Sequence, residues 1–562
     1  MKKTLCLLAA LLLLPCAAFG EHYYTTVDET AASDGTYLIA VNTNPSPTVT
    51  QQTEDIPAIS APARATAAEP SIPYGTRQII ETEAGRLYEL EPERETMTAA
   101  ARKSVQTTLL YANEVCEVYL DKAAAPELQF TKECAAQLGD YYRDFICQQM
   151  QQAFGALPDQ QKKLKILCYD IEDDFDASDD TKWAYTAGMF DSSLYQNGHY
   201  AILLDTYPTM SFNARYPTKI QPVDVTKSYG TLAHEFQHLL NRCAYNTNDD
   251  CAKPQMATWL NECFSECANE IQDPGYSKRI TGSNAASVSA QLAGGLSLMD
   301  WQSTLGNYTL SYLFGQYLRT QTKNYPGGGN GIYRKISEQY YTQPGSELDA
   351  VAAVMTEVTG DTWTPEELLF RFRVALTAQQ KTGIYGFGGE EKFLQYAPAP
   401  AAGGTVTLPG GGATMFFCPP GYRVPSATDG DIRYCVVTPP DIIVLQAQME
   451  TYTKTVINSN TYFDYFPVTS LKEGDFCLSA SFVNHTAQSN APVLYAAIYR
   501  EGALLHITRY LPGEKDGKTG VNSVARSYQV PSGIQPGDTL RVYALSGGLH
   551  PYMQTVFTFV QP

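Results

Sequence analysis

Histidine is scarce in this chain: 7 occur among 562 residues, so two of them a helical turn apart are informative. Basic residues are also in short supply. Lys and Arg number 40 against 59 Asp and Glu, and the formal charge of −19 argues against nucleic acid or an anionic membrane surface as the main partner. Beyond the first twenty residues no apolar run is long enough to span a bilayer, so an integral membrane protein is not expected. No cysteine occurs between Glu21 and Lys103, so that segment carries no thiol with which to plug a metal. No histidine occurs between His238 and His485, which leaves a site in the middle of the chain without a downstream imidazole.

What is present describes an ordinary globular protein. The chain is 44% apolar and 18% charged, and its length allows roughly two to four domains. Its start reads as an export signal over residues 1–20, with Lys2 and Lys3, an apolar stretch from Leu5 to Leu14, and Ala18-Phe19-Gly20 for cleavage after Gly20. The mature protein is therefore expected outside the cytoplasm. Lipid anchoring through Cys16 is the alternative, and Pro15 stands where such a signal wants a small residue. The 13 cysteines include Cys6 and Cys16 in the signal, so an odd number remains and at least one is free or paired between chains. Cys243 with Cys251 and Cys418 with Cys435 are candidate local disulfides, the alternative being small buried apolar residues.

Residues 21–105 are rich in Pro, Thr, Ala and Ser, and Asn42 to Pro73 is nearly devoid of large apolar side chains. Such a stretch buries too little to offset its chain entropy and reads as a linker or pro-segment. From about Thr107 the pattern becomes ordered. Leu109–Tyr111 and Val115–Leu120 read as strands, Thr131–Phe154 as a helix stopped by Gly155, and Leu164–Ile171 as a strand. That strand runs into the acidic turn Glu172-Asp173-Asp174-Phe175-Asp176, read as a solvated turn with structural calcium as the alternative. Thr186–Phe190 and Tyr200–Leu204 read as a hairpin around Asn197-Gly198. Helices follow at about Val225–Cys243, Thr258–Ile271, Thr309–Thr320 and Pro365–Gln379. After Thr405, short alternating segments such as Ile442–Gln448, Val493–Tyr499 and Thr539–Ala544 suggest one or two β-sandwich modules over 405–562.

The sharpest feature is His234-Glu235-Phe236-Gln237-His238 inside a helical stretch. At 3.6 residues per turn both imidazoles project from one face and can reach one zinc ion. Glu235 then stands beside the metal as a general base that takes a proton from the attacking water. A third ligand is required. One protease class places a histidine six residues after the second, with a glycine between, but Leu239 to Cys243 lacks glycine and position 244 is alanine. The other solution is a glutamate on the next helix, and Trp259-Leu260-Asn261-Glu262 supplies it. Glu266 lies one turn further on the same face, placed to orient a ligand imidazole. A rival site of four thiols, Cys243, Cys251, Cys263 and Cys267, lacks the paired Cys-x-x-Cys spacing of structural zinc.

These residues resemble the hyicolysin-type secreted metallopeptidases of the gluzincin clan. The likeness extends upstream to Ala187-Gly188-Met189-Phe190-Asp191 and Leu204-Asp205-Thr206-Tyr207-Pro208, and downstream to Ser311-Tyr312-Leu313-Phe314. It covers roughly residues 107–379. Cys263 departs from the small residue expected after the glutamate ligand, which bears on substrate-side geometry. The resemblance implies an α+β fold with a mixed-sheet upper lobe and a helical lower lobe around zinc, over 106–395. It also implies that an extended peptide pairs with an edge strand, for which Met189-Phe190 and Ala201-Ile202-Leu203 are candidates. Tyr308 resembles the helix-start tyrosine that stabilises the oxyanion in some gluzincins, with Tyr312 as its rival.

The expected function is that of a zinc endopeptidase acting on extracellular protein. Two alternatives stand beside it. One is a surface binding or adhesion protein in which the β region does the work, although an abandoned site would be free to lose Glu235. The other is a zinc aminopeptidase, for whose α-amine site the sequence has no motif.

Overall fold

Tyr37–Asn42 and Ala201–Asp205 are buried at every position, which marks two interior strands, one of them in a segment where none was expected. The computed structural model describes residues 25–559 apart from 32–34, 59–77, 82–86, 90–102, 172, 174, 180–181, 183–184, 214–215, 217–218, 249–252, 275–278, 281–282, 391, 394–398, 425–429, 458–459, 469, 472–473, 487–489, 512–516 and 546–550. The signal segment 1–20 with Cys16, and also Cys251, Glu172 and Asp174, lie outside the described residues.

The chain opens with β1 (Thr26–Asp28), β2 (Tyr37–Asn42) and β3 (Thr50–Gln52). None of these strands was expected within 21–105. Composition averaged over that stretch is polar, but Tyr37-Leu38-Ile39-Ala40-Val41 is a short apolar run of strand-forming residues. β2 pairs antiparallel with Ala413–Phe417 on one side and Ile432–Thr438 on the other, and β3 pairs with Thr407–Pro409. Strands from both ends of the chain thus interleave. Tyr37, Ile39 and Val41 pack with Phe370, Val374, Met415 and Cys435, each fully buried side chain contributing roughly 1.5–3 kcal/mol.

A seven-stranded mixed sheet follows. It comprises β4 (Gln78–Glu81), β5 (Leu87–Glu89), β6 (Lys103–Ala112), β7 (Cys116–Asp121), β8 (Leu164–Tyr169), β9 (Gly188–Met189) and β10 (Ala201–Asp205), in the order β5-β4-β6-β7-β8-β10-β9. β9 is therefore an edge, while β10 is interior, parallel to β8 and antiparallel to β9. Ala201-Ile202-Leu203 is thereby removed as an edge candidate.

The helices are α1 (Lys132–Tyr141), α2 (Gln148–Phe154), α3 (Ser192–Gln196), α4 (Tyr229–Thr247), α5 (Thr258–Gln272), α6 (Ser283–Ala293), α7 (Leu305–Thr322), α8 (Gly331–Thr342), α9 (Glu347–Thr359) and α10 (Pro365–Ala378). α1 and α2 fall where one helix was expected, joined through the wide turn Tyr142–Cys147 and ended at Gly155. The β9–β10 connection holds α3, capped by the Asp191 side chain on the Ser193 and Leu194 N–H groups, so it is longer than a simple turn. α4 places Leu232, Phe236, Leu239, Leu240 and Cys243 inward at helical spacing, and α5 does the same with Leu260, Cys263, Phe264, Cys267 and Ile271.

Beyond residue 440 the chain forms one sandwich. A sheet ordered Asn460–Pro467, Ile442–Ile457, Gly474–Asn484, Gly520–Val530 faces a five-stranded sheet that includes Val493–Arg500, Thr539–Leu545 and Pro551–Phe559. Val444, Leu478, Phe482, Ile498, Leu540 and Val542 fill the space between them. The strands at 413–438 belong instead to the sheet shared with the amino-terminal segment. Cys435 is a buried free thiol, so the Cys418–Cys435 bridge does not form. The two thiols face opposite sides of that sheet, Cys418 against Phe416 and Val436, Cys435 against Tyr37 and Val437. Tyr37 also donates to the His485 carbonyl at 2.8 Å, tying this sheet to the sandwich.

A strand paired on both sides has no route out of its sheet without breaking both ladders. A specific protease site placed between residues 59 and 77 and then cut should leave the amino-terminal piece bound through native gel filtration and free in denaturant. Early loss of the piece from an otherwise folded chain would contradict the interleaved sheet. Ile39→Ala should cost about 2–5 kcal/mol in urea unfolding.

Candidate metal centre

α4 and α5 run antiparallel, as their facing residues show. A Cβ on Gly230 would stand 2.6 Å from Asn269 Oδ1. Next along, His234 Nδ1 lies 3.5 Å from Glu266 Oε1, and His238 Nε2 lies 3.7 Å from Glu262 Oε2. Asn241 Nδ2 then donates to Asn261 Oδ1 at 2.8 Å. Residue numbers rise on one helix as they fall on the other, so the four pairs share one seam. Tyr341 on α8 closes it, donating to Asn241 Oδ1 at 3.0 Å and accepting from the Met256 N–H at 3.3 Å.

His234 Nε2 and His238 Nε2 are 3.2 Å apart, and Glu262 Oε2 is 3.3 Å from the first of them. Donors bound tetrahedrally at about 2.0–2.1 Å would be spaced by roughly 3.3 Å, so the donor set fits a small divalent cation. It is the only group of three or more metal-capable side chains among the described residues. Ser265 Oγ donates to Glu262 Oε2 at 3.2 Å. His234 Nδ1 faces Glu266, whereas His238 Nδ1 is buried with no hydrogen-bond partner among the described residues.

The electrostatics of the cluster ask for positive charge. Burial works to lower the His234 pKa, but Glu262, Glu235 and Glu266 outweigh it and raise it to about 9. Burial likewise works to raise Glu262, but His238 and His234 hold it down to about 2. Glu235 is 8% exposed and pushed up by burial, while His234, His238 and the Phe190 N–H partly offset this. That contact sets the edge strand against α4. A Cβ on Gly188 would stand 2.6 Å from Thr231 Cγ2, so glycine is what allows β9 to lie on the helix.

Tyr308 and Tyr312 separate cleanly. Tyr312 is fully buried and donates to Glu270 Oε2 at 3.1 Å. Tyr308 meets Trp301 edge-on and lies under the Arg279 guanidinium, 5.1 Å from its ring centroid. Arg279 in turn holds Glu266 through both oxygens, at 2.8 and 2.5 Å. Nothing in the sequence marked Arg279, which lies in no motif. Cys263 and Cys267 turn toward α7 at Gly315, so the departure at Cys263 faces the core and the four-thiol site does not assemble among the described residues. Asp173 and Asp176 cap their own turn through the Phe175 and Ser178 N–H groups, and no calcium site is supported there.

Against this geometry stands a relative of stated activity. Over 323 residues the chain is 31% identical to the neutral metalloprotease ShpI of Staphylococcus hyicus, spanning 55% of this chain and 68% of that one. The chain belongs to the hyicolysin-type metallopeptidase family. No family model matches it. No helix among the described residues is long and apolar enough to cross a membrane.

A proton sits on His234 at neutral pH, and a cation must displace it. Divalent-metal binding at pH 7 should therefore release about one proton, read as a buffer-dependent heat in calorimetry. Apparent affinity should rise roughly tenfold per pH unit up to about pH 9 and then level off. Binding heats independent of the buffer would contradict this charge distribution.

Proposed function

We propose that the chain is an exported zinc endopeptidase that hydrolyses extracellular proteins, with a catalytic unit over 106–395 and a β-rich accessory region over 405–562. The observation that carries this reading is the His234–His238–Glu262 donor set, spaced for a tetrahedral ion, in a chain belonging to a metalloprotease family. Two imidazoles and a carboxylate with an open side are zinc-peptidase chemistry. Zinc, when bound, supplies a Lewis acid that acidifies water and polarises the scissile carbonyl.

The remaining work falls to the chain. Glu235, adjoining the donor set and largely desolvated, takes the proton of the attacking water and returns it to the leaving amine. Its burial supports the base role, because a raised carboxyl pKa strengthens the base. Glu266 orients His234 and Tyr308 donates to the developing oxyanion. The edge of β9 pairs with an extended substrate, and its contact through Phe190 sets the scissile bond beside Glu235. The mixed sheet and the helices α4 to α10 correspond to the upper and lower lobes of a gluzincin. Export rests on the signal at residues 1–20 with cleavage after Gly20.

Purified protein should carry about one zinc per chain. Casein cleavage should stop with chelator, and Glu235→Gln should lower kcat by about 10²–10⁴-fold with zinc retained. Zinc without any cleavage would turn the reading toward a binding protein, and failure to take up zinc would refute it. Tyr308→Phe should lower kcat by about 10²-fold or more. Tyr312→Phe should instead cost about 1–3 kcal/mol of stability through Glu270 and leave the kcat of folded enzyme unchanged.

A further inference from the structure

We infer that Arg279 is a positioning residue for the metal centre, tying the carboxylate behind His234 to the ring of Tyr308; this rests on the peptidase reading above. Glu266 is completely buried, so both its oxygens must be satisfied by protein. Arg279 Nε reaches Oε2 at 2.8 Å and Nη2 reaches Oε1 at 2.5 Å. Only a guanidinium presents two donors in that fixed fork, so the pair sets the plane of the carboxylate as well as its charge. Oε1 is also the atom 3.5 Å from His234 Nδ1. The carboxylate plane therefore sets the imidazole plane, and with it the direction of Nε2 toward the metal.

The same guanidinium covers the Tyr308 ring, which Trp301 holds edge-on. Arg279 is itself anchored. Thr309 Oγ1 donates to its carbonyl at 3.1 Å, and the adjoining Ile280 is fully buried. One side chain thus joins α5, which carries the ligand and its orienting glutamate, to the start of α7, which carries the oxyanion tyrosine. Its effect on the donor set is transmitted through Glu266 and Tyr308.

The test uses the full chain loaded with cobalt(II), whose visible spectrum reports ligand geometry, together with zinc affinity by competition and kcat and KM on a peptide. Arg279→Ala should shift the cobalt bands and weaken zinc binding by about 10–100-fold. kcat should fall with KM little changed. Arg279→Lys, which keeps the charge and loses the fork, should recover zinc affinity but neither the wild-type spectrum nor kcat. Arg279→Ala combined with Glu266→Gln should be no worse than the poorer single variant. Wild-type spectra and zinc affinity in both Arg279 variants would overturn the inference. If Arg279→Ala does not fold, Arg279→Lys decides the matter, since a wild-type spectrum and kcat there overturn it. Absence of metal-dependent cleavage in the wild type would remove the peptidase reading alone, and the cobalt spectra would still decide the role of Arg279.

Discussion

Glu235, Glu262 and Glu266 lie together with two imidazoles in and beside the seam between α4 and α5, where water is largely excluded. Carboxylates so buried are tolerable only when each meets a cation or several donors. Glu266 meets Arg279 through both oxygens, and Glu262 meets His234, His238 and Ser265. The surplus of negative charge is what drives His234 to hold a proton at neutral pH. A divalent cation answers the same demand with more charge at the same place. Holding a cation and keeping this seam stable are therefore one electrostatic problem.

The register of the two helices governs everything downstream. A helix turned by one residue rotates its side chains by about 100°, which would carry Glu262 away from both imidazoles. Packing prevents that turn from several sides. Asn241 with Asn261 and Tyr341 pins one end of the seam, and Gly230 lets Asn269 close the other. Cys263 and Cys267 seat α5 on α7, and β9 lies across α4 through Gly188. Glu235 is consequently met by the Phe190 backbone at the sheet edge.

The interleaved ends of the chain constrain processing. β2 contributes its whole length to a sheet completed by strands at 413–438 and leans on α10, so the amino-terminal segment is part of the body that supports the helices. A maturation step that discarded all of residues 21–105 would remove the strand at the middle of that sheet. Cleavage beyond residue 58 would leave β1 to β3 in place.

By itself the sequence determined what depends on local periodicity. His234, Glu235 and His238 are related by one helical turn, Glu262 and Glu266 by another, and the helices bearing them were legible because apolar residues recur at that same spacing. It did not determine what depends on partners far along the chain. Tyr37 pairs with Val437, 400 residues along the chain, and averaging over 21–105 hid six residues whose strand partners lie at 413–438. Tyr308 and Tyr312 share a helix and stand one turn apart, so no local signal separates them. Tertiary packing distinguishes them by setting Glu270 opposite Tyr312 and Arg279 opposite Tyr308. Spacing along a helix is encoded by neighbours in sequence, whereas the charge that faces a side chain is supplied by whichever distant segment folds against it.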